Sequence, residues 1–164
     1  MYFDQHTPTT YPYGRFYLYQ KNPFSPVRIS GWMRRMPPPS SYHGFAINEK
    51  AVTQPRQCKT AGRHWNPTNE FHGEMNNMTY HSHVGNLKPI KDTSSGYASY
   101  FAAAERPTMY GSQNIQGKAM TIYEKPDDLG LAGTFDSINW GSAGKPIACC
   151  NIRGYQVTKY ELEV

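Results

Sequence analysis

The segment 43-HGFAINEKAV-52 decides how this chain is read. Phe45 and Ile47 alternate with Ala46 and Asn48, the period-two pattern of a strand with one face in a core. At Glu49 the pattern stops. No strand pattern returns until about Asn86, a long gap for a compact domain, and such gaps are usually functional or disordered. This gap holds Cys58 and four of the six histidines, His64, His72, His81 and His83. A disordered segment rarely concentrates ligand-type side chains in this way. The strand at 42–48 is therefore expected to lead into a functional loop.

Working outward, further strands are expected at 15–20 (RFYLYQ), 27–33 (VRISGWM), 96–102, 117–125 (GKAMTIYEK) and 147–152. Each is bounded by Gly, Pro, Ser, Asn or Asp, the residues that punctuate turns. Residues 102–105 (AAAE) are compatible with a helical turn, which Pro107 would stop. A second long loop is expected from Pro126 to Pro146. The composition agrees. There are 14 Gly, 13 Pro and 13 Tyr, with 7 Phe and 3 Trp, which favours many turns and aromatic-rich strands over long helices. At 164 residues the chain is sized for one domain, and an all-β sandwich or barrel is the expected class.

The formal charge of +5 raises the question of an anionic partner. The bases are scattered along the chain, with only Arg34 and Arg35 adjacent, so a solvated basic surface is expected and a nucleic-acid partner is not. No segment is apolar enough for a membrane span. The first residues, MYFDQHTPTTYPYG, show neither the basic nor the apolar region of a signal peptide. This predicts a cytoplasmic protein or one within an assembled particle such as a virion, with secretion left open. The odd cysteine count (Cys58, Cys149 and Cys150) leaves at least one thiol unpaired, and composition does not say which.

The run 64-HWNPTNEFHGEMNNMTYHSHVGN-86 places four imidazoles in one loop, and imidazole is the commonest metal ligand. Its context is more specific. HGF at 43–45, CKTAGRHWNP at 58–67, FHG at 71–73, HVGN at 83–86, EKPDDLG at 124–130 and GSAGKPIAC at 141–149 occur in this order. Together they resemble the copper/zinc superoxide dismutases over roughly residues 14–154.

The resemblance implies an eight-stranded Greek-key β-barrel, an immunoglobulin-like sandwich with two long loops. It implies an N-terminal arm or first edge strand at 1–13, the barrel at 14–154 and a tail at 155–164. It implies a disulfide between Cys58 and Cys149. The zinc ligands of the family fall on His64, His72, His83 and Asn86, with His81 a competitor of His83; the family has an aspartate where Asn86 stands. Asp127 matches the carboxylate that orients ligand histidines. The copper ligands fall on Ala46, Asn48, His64 and Tyr123, so three of four imidazoles are absent. Ala46 has no donor atom, and Asn48 offers only a neutral amide oxygen. Tyr123 would bind only as a phenolate. The substrate-guiding arginine falls on Pro146, and the glycine after the second cysteine on Cys150.

Dismutation needs a metal that cycles between oxidation states, and zinc does not. The expectation is thus a non-catalytic, zinc-holding, copper-free relative that acts as a structural or interaction module, such as a virion, matrix or decoy protein. Residual metal-dependent activity is the alternative: dismutation, or zinc hydrolysis with Glu70 or Glu74 as base. A protein partner or homo-oligomer would be met through the tail, the N-terminal arm or the Cys150–Tyr155 segment. Cys150 itself is expected either as a buried apolar residue or at a subunit contact.

Overall fold

The computed structural model describes residues 11–38, 41–76 and 82–154. The chain runs through β1 (Tyr13–Tyr19), β2 (Val27–Arg34), β3 (Tyr42–His43), β4 (Phe45–Asn48), β5 (Ile90–Lys91), β6 (Ala98–Ala104), β7 (Ala119–Tyr123), a helix α1 (Phe135–Trp140) and β8 (Pro146–Asn151), with a 3-10 turn at Cys58–Ala61. Among the described residues, eight strands pair antiparallel in three sheets, ordered β1-β2-β6, β3-β5 and β4-β7-β8. The all-β expectation holds. His81, the first ten residues of the arm and the tail from Tyr155 lie outside the described residues.

The core forms where the inward positions of the two three-stranded sheets meet. β6 shows the strand period plainly, with Ala98, Tyr100, Ala102 and Ala104 buried. β2 buries Val27, Ile29 and Met33. The rings of Phe16, Phe45 and Tyr100 link the sheets, with Phe16–Phe45 and Phe45–Tyr100 centroids each 5.1 Å apart. These spacings suit tilted and edge-to-face aromatic pairs. Gly31 lies opposite Phe16 in register, and a side chain there would overlap that ring and the Arg15 carbonyl. Aromatic filling of the core thus dictates the glycine within β2.

Two local expectations are corrected. Residues 102–104 are not a helical turn: Ala102 and Ala104 pair with Ile29 and Val27 as the end of β6, because burial against β2 outweighs the helix propensity of alanine. The second long loop contains α1, which the turn-rich composition concealed. Thr134 caps it by accepting a hydrogen bond from the Ser137 amide, and Gly141 ends it at a φ of 64°. Six residues are too few to show a helical period.

β4 positions the functional region. Phe45 and Ile47 enter the core, while Ala46 and Asn48 face a loop that also buries them. That loop is bonded along the free edge of β4. The Ile47 amide donates to the Gly85 carbonyl, the Trp65 amide to Ile47, and the Leu87 amide to Phe45, at 2.8, 2.8 and 3.1 Å. Residues 64–66 and 85–87 are thereby laid beside the strand, with bridges Asn48–His64 and Ala46–Asn86.

Candidate metal centre

The loop brings His64, His72 and His83 together. One ring nitrogen from each lies within 4.8 Å of the others, and all three residues are buried. The ring centroids are 5.3, 5.8 and 5.4 Å apart. His72 is held from two sides. Its amide donates to the Ile138 carbonyl of α1 at 2.9 Å, and its Nε2–H donates to Asp127 Oδ1 at 2.7 Å. Since Nε2 carries the proton, the lone pair is on Nδ1, a buried atom with no hydrogen-bond partner among the described residues. His83 Nδ1 is likewise buried and unpaired. Two unpaired buried nitrogens in one cluster are what a cation site looks like before its ion.

Asn86 completes the group. Its Nδ2 donates to the Gly73 carbonyl at 2.7 Å, which turns Oδ1 toward His64 Nδ1, 3.2 Å away. Asp127 is fixed in turn, since its Oδ1 also accepts the Leu129 amide at 2.8 Å. Gly141 passes directly over this contact, and a Cβ there would overlap both Asp127 Oδ1 and His72 Nε2. A glycine here is required twice, by close approach and by its positive φ. Sequence reasoning did not single out Gly141, although its place after the helix is a glycine C-cap signal.

The electrostatics keep His64 and His83 neutral. Burial pushes His64 down to about 3, helped by the nearness of His72 and His83 and opposed by the Asn86 hydrogen bond. Burial and His72 push His83 down to about 4, against the opposing effects of a Glu70 backbone bond and Asp127. Neutral imidazole is the form that binds metal.

The neighbouring half of the site is filled differently. Ala46 presents a buried methyl group. Asn48 Nδ2 donates to the Gly62 carbonyl and to the Tyr123 hydroxyl, each at 3.0 Å, so both amide protons are used. Burial raises the Tyr123 pKa, which disfavours the phenolate a metal would need. The Tyr123 ring lies 5.5 Å from that of His64. Beyond it opens a pocket of about 230 Å³ lined by Lys59, Arg63, His64, Tyr123, Trp140 and Pro146, among others. Arg63 stacks on Trp140 at 5.3 Å. Neither residue stood out in the sequence, because the pairing joins a loop to a helix 77 positions later.

Cys58 and Cys149 are joined as a disulfide with Cα atoms 5.4 Å apart, tying the loop to β8. Cys150 faces the other way, is buried in the core and is a free thiol. Glu74 is exposed, and Glu70 is partly so.

Comparison with known proteins agrees with this geometry. Residues 12–152 match the family model described as copper/zinc superoxide dismutase. A protein of Autographa californica nuclear polyhedrosis virus named "Putative superoxide dismutase (Cu-Zn)" is 34% identical over 140 residues, covering 84% of this chain and 88% of that one. A copper/zinc superoxide dismutase of Dictyostelium discoideum is 33% identical over 137 residues, covering 83% and 87%. Among solved structures, the clock protein EA4 superposes with a TM-score of 0.77 at 27% identity, covering 88% of each chain. The chain belongs to the copper/zinc superoxide dismutase family.

Proposed function

We propose that this chain is a non-catalytic member of its family, which keeps a zinc site, lacks a copper site and acts as a structural or protein-interaction module. The observation that carries this is the Asn48–Tyr123 hydrogen bond. Two positions that would offer imidazoles to copper instead bond to each other, Asn48 Nδ2 donating to the Tyr123 hydroxyl, and Ala46 supplies no donor at the third. His64 alone would not hold copper tightly.

His64, His72, His83 and Asn86 are the residues that would hold zinc. The donor set fits. The 3.2 Å from His64 Nδ1 to Asn86 Oδ1 is close to the edge of a tetrahedron with bonds of about 2.0–2.1 Å. Zinc bound there would cross-link the loop and supply no redox step. Asp127 fixes the His72 tautomer, and Asn86 removes the charge an aspartate would give, which lowers affinity. The buried histidines leave little room for the solvent position that a hydrolytic zinc site needs, and Glu74 faces outward.

Localisation inside an assembled particle is in keeping with the viral source of one relative, and a protein partner or homo-oligomer would give a chain without a redox centre its role. The test is superoxide removal by protein loaded with copper and zinc, beside a variant carrying Ala46→His, Asn48→His and Tyr123→His. Activity in the variant alone supports the reading. Activity in the unaltered chain that follows its copper content contradicts it.

A further inference from the structure

The outward face of the β1-β2-β6 sheet collects bases and aromatic rings that are far apart in sequence. Alternation puts Tyr13, Arg15, Tyr17 and Tyr19 of β1, Arg28, Ser30, Trp32 and Arg34 of β2, and Ser99, Phe101 and Ala103 of β6 on this face. The register makes rows of them: Arg15–Trp32–Ser99, Tyr17–Ser30–Phe101 and Tyr19–Arg28–Ala103. None of the three strands contains an aspartate or glutamate. Tyr17, Tyr19 and Phe101 are 57%, 59% and 69% exposed, far more than large aromatic side chains usually are.

The rings and cations are already arranged around one another. Arg34 lies 5.8 Å from the Trp32 ring centroid, and Trp32 meets Tyr13 edge-on at 5.9 Å. Arg15 Nη1 donates to the Tyr17 hydroxyl at 3.0 Å. In the middle row, Ser30 separates Tyr17 from Phe101 by two strand spacings, about 10 Å. The small serine leaves a gap between two exposed rings, with arginines in the rows on either side.

We infer that this face binds single-stranded nucleic acid, with bases stacking on Tyr17 and Phe101 and phosphates meeting Arg28 and Arg34. Charge and ring content select this occupant together. A stacking platform flanked by cations is the usual means of holding a single strand without sequence preference. A sulfated glycan would use the charge and could lay a sugar face on the rings, so competition by heparin is the arm that separates it from a single strand. A second copy of this chain would set arginine against arginine. A duplex hides its base faces and cannot use Tyr17 or Phe101. The scattering of bases along the sequence therefore does not describe the folded surface, because strand pairing gathers them.

The experiment is fluorescence anisotropy of a short fluorescein-labelled oligothymidylate titrated with the full chain at low salt, then at increasing salt. Heparin fragments and a duplex of equal length serve as competitors. The expected affinity falls with salt at a slope of about −1.4, from the two phosphates on Arg28 and Arg34 at roughly −0.7 each. Phe101→Ala and Tyr17→Ala each weaken binding by roughly 5- to 100-fold, with an unchanged salt slope. Arg28→Ala flattens the slope by about 0.7. All three sites are exposed, and unchanged thermal unfolding of each variant confirms its fold. No binding by the full chain at about 50 mM salt overturns the inference. So does binding that the aromatic variants leave intact. So does competition by heparin or duplex as strong as by unlabelled single strand. If binding appears only after residues 1–10 are removed, the face serves the chain's own N-terminus, and the inference is equally overturned.

Discussion

Acidifying the metal-free protein should destabilise it steeply between about pH 7 and pH 5. The cause is the buried cluster. His64 titrates near 6.5 when unfolded and about 3 when folded, and His83 about 4 when folded. Because the folded pKa is the lower one, the unfolded state binds more protons in this window. Stability is therefore fully present above about 6.5 and is lost as pH falls toward the folded values. At pH 5, each histidine removes about 2 kcal/mol relative to pH 7.5, so the two together remove roughly 4 kcal/mol. That is a large share of the 5–15 kcal/mol typical of a domain. The assay is urea unfolding at several pH values in the presence of a chelator, followed by tryptophan fluorescence. Replacing His64 by glutamine, which cannot be protonated, should remove about half of the pH dependence. Stability that stays level within about 1 kcal/mol from pH 7.5 to pH 5, or that rises on acidification, would refute the reasoning.

Other perturbations follow from single contacts. Reducing the Cys58–Cys149 bond, or replacing both residues by serine, opens a link between residues 91 positions apart and should cost about 4–5 kcal/mol by chain entropy, read as a lower urea midpoint. Gly141→Ala should push Asp127 off His72 and weaken zinc binding by roughly 10- to 100-fold, measured by chelator competition. Asn86→Asp should tighten zinc in the same assay by returning a negative charge to the donor set. Phe45→Ala should cost about 3–5 kcal/mol, since it removes the ring between Phe16 and Tyr100. Cys150 should resist alkylation in the native protein and react on unfolding, because burial both hides its thiol and raises its pKa.

Much of the fold was legible in the sequence because strands declare themselves two residues at a time. β2 and β4 show this, with Val27, Ile29 and Met33 or Phe45 and Ile47 alternating inward. The motif order around His64, His72 and Asp127 likewise pointed to residues that do converge. Three things could not be read. α1 is too short to show a period, and its cap and terminal glycine also read as loop residues. The sequence showed that Asn48 and Tyr123 are not imidazoles, but not that they bond to each other, since they are 75 positions apart. The aromatic and basic face was invisible for the same reason: Tyr17, Ser30 and Phe101 become neighbours only through register.

In the proposed reading, one half of a two-metal site was replaced by an internal hydrogen bond while the other half can still hold zinc. Elemental analysis of the purified native protein tests it most directly. Zinc approaching one per chain and copper near background are expected, with zinc lost when His72 is replaced by alanine. Copper bound in comparable amount, surviving dialysis against a mild chelator, would contradict it.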